Sequence, residues 1–153
     1  MIRTFALSLL FPLAVFGMAA AQDAPKPPAR HTLMPVPKTL AFQTGLLSVQ
    51  SGFTVAVTRH SDPRLLAGLD RALRRLERRT GLEFPRGIAK DATSATLVID
   101  CQAPGSIVPS VDENESYTLT IDAKQAVLKA ATTVGSLRGI ETLLQLVDGD
   151  RTG

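Results

Sequence analysis

Residues 112–147 read DENESYTLTIDAKQAVLKAATTVGSLRGIETLLQLV, and this stretch decides the fold. In its first part, Glu115–Ile121 alternates apolar and polar residues with the period of two that is typical of a half-buried strand. A polar turn at Asp122–Lys124 leads into a second apolar run at Gln125–Ala131. Two such runs joined by so short a connection predict a β-hairpin.

The second part of the stretch predicts a helix. Thr132 or Thr133 can cap its first turn, because a threonine hydroxyl accepts a hydrogen bond from a free backbone N–H group there. Gly149 follows as the C-terminal stop. One side of the helix is apolar and carries Val134, Leu137, Ile140, Leu144 and Val147.

An earlier helix is predicted from Asp62 onward. Asp62 can cap it and Pro63 fits its first position, where the missing N–H group has no partner to lose. Gly81 marks its end. Its apolar side carries Leu65, Leu66, Leu69, Ala72, Leu73 and Leu76, and its other side carries an arginine stripe of Arg71, Arg74, Arg75 and Arg78.

Three further runs are predicted as strands, namely Leu46–Gln50, Phe53–Thr58 and Ala95–Cys101. The order along the chain is then β-β-α-β-β-β-α. Hairpins imply antiparallel pairing, and two amphipathic helices require one sheet face to bury against. We therefore expect an α+β fold, a two-layer sandwich of a mostly antiparallel sheet with two helices on one face.

The N-terminal segment is predicted to be a signal peptide spanning residues 1–21. Arg3 precedes an apolar run, and Ala19–Ala21 supplies the small residues of a cleavage site. Residues 22–37 form a proline-rich tether, and the folded domain spans residues 38–148. The protein is thus expected to be secreted or periplasmic, with no membrane contact after cleavage.

Composition excludes several classes of function. Without Arg3 the formal net charge falls from +3 to +2, too little to indicate a nucleic-acid partner. The single cysteine, Cys101, excludes an intrachain disulfide. Only six Phe, one Tyr and no Trp are present, so stacking platforms for sugars or bases are scarce.

No catalytic constellation is apparent. His31 and His60 lack metal-ligand spacing to other residues. The acidic cluster Asp112, Glu113 and Glu115 fits a solvated loop rim better than a general acid–base pair, because no apolar neighbours would raise a pKa. We therefore predict no catalytic, cofactor-binding or metal-binding residue. Residues 114–116 form a glycosylation sequon, which matters only in a eukaryotic host.

The arginine stripe allows two interpretations. It is the solvated back of an amphipathic helix, or it meets an anionic polymer or the acidic face of another domain. The first interpretation is favoured, because surfaces that bind nucleic acid add a large net charge.

A family resemblance is carried by the same C-terminal stretch. It consists of an acidic-Ser-Tyr strand, an Ala-Thr strand end and a helix with the pattern Gly-x-x-x-Gly-x-x-Thr-x-x-Gln-Leu. The matching residues are Glu115, Ser116, Tyr117, Ala131, Thr132, Gly135, Gly139, Thr142, Gln145 and Leu146. Together with LMPVPKTL at Leu33–Leu40, this resembles the N-terminal domain of glycoside hydrolase family 20, the β-N-acetylhexosaminidases. Gly135 and Gly139 share one helix face, where we expect close approach of the sheet.

The resemblance implies a catalytic (β/α)₈ barrel C-terminal to this domain, acting on terminal N-acetylhexosamine residues. A barrel needs about 250 residues, whereas six follow Val147. We expect this chain alone to lack the barrel and to be inactive. Leu143 and Leu146 lie beside the apolar stripe of the last helix, and we expect them to face the barrel.

Two alternatives remain open for the function. One is a stand-alone exported interaction module that uses the arginine stripe. The other is an accessory domain of another glycosidase family, since related folds precede the barrels of α-glucuronidases and hyaluronidase-like enzymes.

Overall fold

The computed structural model describes residues 32–42, 44–108 and 110–148. The predicted signal peptide, His31 and Gly149 lie outside these residues. In chain order the elements are β1 (Val55–Arg59), α1 (Pro63–Thr80), β2 (Leu97–Ala103), β3 (Tyr117–Ile121), β4 (Ala126–Thr132) and α2 (Thr133–Leu146). The α+β class is confirmed.

The sheet is mixed, so the prediction of a mostly antiparallel sheet was wrong. The strand order within the described residues is β1-β2-β4-β3. β2 runs parallel to both β1 and β4, and only β3 and β4 are antiparallel. The reason lies in the connections. α1 carries the chain back from the end of β1 to the start of β2, as a parallel crossover requires. β3, the next strand along the chain, lies at the sheet edge, which leaves the inner position to β4.

The predicted strand at Leu46–Gln50 pairs with no other strand of the described chain and is another wrong prediction. Leu47 and Val49 nevertheless pack against the core, which accounts for their alternation. The turn at 51–52 is present, and the Phe53 N–H group donates to the Gln50 carbonyl over 2.9 Å. Burial of alternate side chains therefore does not require a ladder of backbone hydrogen bonds.

The main core lies between one sheet face and the two helices. It combines α1 leucines with strand residues such as Val55, Ile99 and Leu128 and with Ile140 of α2. Alternate residues of the strands, Ala56 and Val98, form a smaller cluster with Ala95. The prediction of two helices on one face is confirmed.

Helix α1 begins and ends where the sequence predicts. Asp62 Oδ1 accepts a hydrogen bond from the Leu65 N–H group over 2.7 Å, and Pro63 is the first helical residue. Gly81 closes the helix in the left-handed conformation, with φ 71°. Leu66 departs from the predicted apolar side, because it is 39% exposed. Gly68 takes its place against α2, where an added Cβ atom would collide with Leu137.

Helix α2 is capped by Thr132, whose hydroxyl accepts from the Gly135 N–H group over 3.2 Å. At its other end, the Arg79 guanidinium of α1 donates to the carbonyls of Leu144 and Val147 over 2.5 and 2.7 Å. A cation is favourable at a helix C-terminus, where carbonyl groups lack helical partners. The two helices are thus joined at their C-terminal ends.

Candidate docking surface

His60, which appeared isolated in the sequence, lies in a polar cluster between the two helix N-termini. Asp62 Oδ2 accepts a hydrogen bond from the Thr133 hydroxyl over 2.7 Å, and His60 Nε2 lies 3.1 Å from the same oxygen. Burial raises the pKa of the Asp62 carboxyl, but hydrogen bonds from Leu65, Thr133 and His60 outweigh it and hold the pKa below its usual value.

The contacts of this cluster connect the two helices. The Thr133 hydroxyl donates to Asp62, and its side chain is fully buried, so it is not accessible to a substrate. Cys101 is likewise buried, and its thiol donates to the Ala103 carbonyl over 3.3 Å. The arrangement joins α1 to α2 through one carboxylate at their positive ends.

The acidic cluster predicted from the sequence does not form a pair. Glu113 Oε1 accepts from the Ser106 N–H group over 3.0 Å, whereas Glu115 binds Arg138 through two hydrogen bonds of 2.9 Å. Hydrogen bonds from Arg138 lower the pKa of Glu115. A general acid needs the opposite shift. The described carboxyl groups whose pKa departs from its ordinary value all shift downward, namely Asp62, Glu77, Asp91, Glu115 and Asp122.

No metal site is apparent in the described ranges, which hold no group of three His, Cys, Asp or Glu residues placed around one ion. Within the same ranges, no helix has both the length and the apolar character needed to cross a membrane. Asn114 of the sequon is exposed, and its side-chain oxygen accepts from the Ser116 hydroxyl over 2.6 Å.

The glycines of the family pattern bring α2 close to the sheet, as predicted. A Cβ atom added to Gly135 would lie 2.6 Å from the Ser116 carbonyl oxygen. One added to Gly139 would collide with the buried side chain of Leu128. These two positions therefore fix how closely α2 lies against β3 and β4.

The polar residues of the pattern also hold parts of the fold together, through hydrogen bonds. The Thr142 hydroxyl lies 2.6 Å from the Tyr117 hydroxyl and joins α2 to β3. The Gln145 amide bonds both the N–H and the carbonyl of Met34, each over 2.8 Å. Leu33 beside it is buried, so the end of the predicted tether lies against the folded domain.

Leu143 contradicts the expectation that it faces another domain. Its side chain is 9% exposed and belongs to the main core, together with Leu144. Leu146 is half-buried. α2 packs against both the sheet and α1, so a wider part of its circumference is covered than one sheet face alone would cover. Leu143 therefore contributes to no docking surface.

The arginine stripe divides into two parts. Arg74 pairs with Asp70 over 2.9 Å on the outer side of α1, and Arg78 is exposed without an ion pair in the described chain. Arg71 and Arg75 instead line a groove between α1 and α2. The stripe is thus not a single surface.

This helix groove has a volume of about 360 Å³. Its floor is apolar and consists of Gly68, Val134, Leu137 and Ile140. Its walls are polar and consist of Arg64, Arg71, Arg75, Arg138 and Glu141. Within this floor Gly68, Val134 and Ile140 are buried by the domain itself, and Leu137 is half-buried.

The charges on the walls are only partly balanced. Arg75 bonds both oxygens of Glu141 over 2.7 Å across the groove, and Arg138 is paired with Glu115. Arg64 and Arg71 are exposed and have no ion pair or hydrogen bond among the residues that the structure describes. The groove therefore carries two free guanidinium groups.

Sequence reasoning missed Arg64 and Arg138 as members of the groove. Arg64 could have been found, because it lies seven residues before Arg71 and hence on the same helix face. Arg138 belongs to α2, and its position depends on how the helices pack, which no local pattern specifies.

Comparison with known proteins bears on this fold. Residues 30–153 match the sequence family described as glycosyl hydrolase family 20, domain 2. The β-hexosaminidase subunit alpha of Bos taurus is 35% identical over 156 residues, which cover 94% of this chain and 27% of that protein. The subunit beta of Homo sapiens is 45% identical over 60 residues, which cover 39% of this chain and 10% of that protein.

Solved structures agree with this family. The chitobiase of Flavobacterium johnsoniae matches with a TM-score of 0.71 at 35% identity, over 78% of this chain and 18% of that one. The exo-β-N-acetylglucosaminidase of Vibrio harveyi shares the fold, with a TM-score of 0.57 at 18% identity over 78% of this chain and 16% of that one. The chain thus spans about a quarter or less of the relatives it matches. The resemblance found in the C-terminal stretch is confirmed, and the chain belongs to glycosyl hydrolase family 20, of which it represents domain 2.

Proposed function

We propose that this chain is the non-catalytic accessory domain of an exported β-N-acetylhexosaminidase that acts on terminal N-acetylhexosamine residues of glycans. The observation that carries the proposal is the match of residues 30–153 to domain 2 of the family. In the complete enzyme, a catalytic (β/α)₈ barrel follows this domain.

The chemistry of the described residues supports an accessory role. Glycoside hydrolysis needs a general acid beside the scissile bond, with a pKa raised toward neutrality. Here Glu115 forms a salt bridge with Arg138. Asp62 accepts hydrogen bonds from the Leu65 N–H group and from the Thr133 hydroxyl. Neither carboxylate is free to protonate a leaving group.

Export is the second part of the proposal. Residues 1–21 act as a cleaved signal peptide and residues 22–37 as a tether ahead of the domain at 38–148, so the mature protein is secreted or periplasmic. The apolar run after Arg3 and the alanines at 19–21 support it.

Translation of the coding DNA beyond Gly153 tests the proposal directly. We expect a barrel of about 250 residues with an adjacent Asp–Glu pair, and hydrolysis of a nitrophenyl N-acetylglucosaminide by the longer product. A natural stop after Gly153 would instead favour a stand-alone interaction module.

The intact mass of the exported protein tests the signal peptide. We expect processing after Ala21, and a mature protein that retains Met1 would contradict export by this route.

A further inference from the structure

The outer edge of β3 is an open sheet edge in the part of the chain that the structure describes, since β3 is the last strand in the sheet order. We propose that it pairs, antiparallel, with the same edge of a second copy of this chain, so that two sheets become one. This inference does not rest on the proposed function, because every residue it uses lies in this domain.

The backbone groups that face outward from β3 have no partner. The Asp122 N–H group donates to the Gln125 carbonyl over 3.0 Å, and bonded and non-bonded residues alternate along an antiparallel pair. Counting back from this bond, the N–H and C=O groups of Tyr117, Leu119 and Ile121 point away from β4. They form no backbone hydrogen bond with any other described residue. Pairing centred on Leu119 would give each of these groups a partner.

The opposite edge of the sheet is covered by the chain itself. In the loop after α1, the Ala89 N–H group donates to the Val55 carbonyl of β1 over 2.8 Å. β3 has no such cover among the described residues. Its sequence YTLTI holds no lysine and no proline, and its register with β4 is free of a bulge. Natural proteins use these features to block an open edge.

The side chains along this edge suit a second copy of the same strand. Tyr117, Leu119 and Ile121 pack against the main core but remain half-buried, so an added strand with the same residues would cover them further. Thr118 and Thr120 are exposed on the other face of the sheet. Across a two-fold axis at Leu119 each would lie opposite the other, and threonine pairs of this kind are favourable.

The charges beside β3 also fit antiparallel pairing of two copies. β3 itself is uncharged, and Asp112 before it is exposed without an ion pair in the described ranges. Antiparallel pairing brings this acidic side of one copy toward the turn with the exposed Lys124 of the other. Residues 22–30 of the chain do not suit the edge, because Pro25, Pro27 and Pro28 lack the N–H group that a strand ladder needs.

Sedimentation equilibrium of the chain without residues 1–21 tests the proposal, since their apolar run would itself cause association. Two paired five-residue strands form a small interface, so we expect a monomer–dimer equilibrium with a dissociation constant in the micromolar range. A chain that stays monomeric at submillimolar concentration would overturn the inference.

A charge-swap experiment locates the contact. Thr118→Lys combined with Thr120→Lys should weaken dimerisation by about tenfold or more, because like charges then lie opposite each other. Thr118→Glu combined with Thr120→Lys should restore it, because opposite charges then face each other across the axis. Gln102→Lys combined with Ala103→Lys is the matched control, since it adds the same charge at exposed residues of β2 and should leave dimerisation unchanged.

The remaining outcomes identify other occupants. Dimerisation that both the Thr118 and Thr120 double variants leave unchanged would overturn the inference and place the contact elsewhere. A longer gene product that is monomeric, while its Leu119 amide proton exchanges more slowly than in this chain, would overturn it in favour of the following domain. A gene product without a barrel would contradict the proposed function and leave this inference intact.

Discussion

The inner and outer faces of the helix pair differ in how many of their side chains have packing or hydrogen-bond partners within the described chain. On the inner face, Gly135 and Gly139 lie against the sheet and Thr142 bonds to Tyr117. On the outer face, Arg64 and Arg71 stand unpaired over an apolar floor. The residues that identify the family thus build the fold, while the two unpaired arginines lie on the other side of the helices.

The largest expected effect concerns the inner face at Leu143. Because its side chain belongs to the main core, Leu143→Ala should reduce the free energy of unfolding by about 2–5 kcal/mol. The matched control is Leu66→Ala, since Leu66 is 39% exposed on α1 and should lose far less. Urea denaturation of the 153-residue chain measures both. Equal losses would mean that Leu143 is not a core residue.

A smaller loss is expected where α2 touches the backbone of the sheet. Gly135→Ala should lower the free energy of unfolding by about 1–3 kcal/mol. The new methyl group meets the Ser116 carbonyl oxygen, which cannot move independently of the strand that follows it. Gly68→Ala is the control, since the atom it meets is the end of the Leu137 side chain, which can rotate. Thermal unfolding compares the two, and a stabilised Gly135→Ala variant would contradict the close approach.

Asp62, which lies between the N-termini of the two helices, should make the free energy of unfolding depend on pH. The pKa of Asp62 is lowered in the folded state, so its contribution is present above the unfolded pKa of about 3.9 and is lost as pH falls through the folded value. Asp62→Asn should lower the free energy of unfolding by up to about 1 kcal/mol at neutral pH, because asparagine can still cap α1 but lacks the negative charge beside the helix N-terminus and the second acceptor oxygen for Thr133. The difference between variant and wild type should shrink below about pH 4. Urea midpoints from pH 3 to 7 test this, and a difference that stays constant would contradict it.

The smallest effect on stability is expected at the two exposed hydrogen bonds between Gln145 and Met34. Gln145→Ala should reduce the free energy of unfolding by less than about 1 kcal/mol, because water can replace both hydrogen bonds. It should nevertheless speed exchange of the Met34 amide proton several-fold. Unchanged exchange would show that residues 33–34 are held by the burial of Leu33 alone.

Local features of the fold could be predicted from the sequence, because their causes are local. The Asp62 cap, the Gly81 stop and the hairpin between β3 and β4 each depend on a few neighbouring residues. Strand order could not be predicted in this way. β4 rather than β3 lies beside β2, and nothing in the composition of the segment between β2 and β3 specifies this order.

The candidate surface was predictable only in part. The stripe correctly placed Arg71 and Arg75 on one side of α1, but it also included Arg74 and Arg78, which do not line the groove. Leu143 was assigned to a partner, because helical periodicity does not reveal how many elements surround a helix. Arg138 and Glu141 reach the groove only through the packing of α2 on α1.

The most direct test of the central claim is a glycosidase assay on the purified 153-residue chain. With a nitrophenyl N-acetylglucosaminide we expect no turnover, because Glu115 is held by Arg138 and Glu113 by the Ser106 N–H group. Turnover that Glu113→Gln or Glu115→Gln abolishes would contradict the accessory role and identify this domain as catalytic.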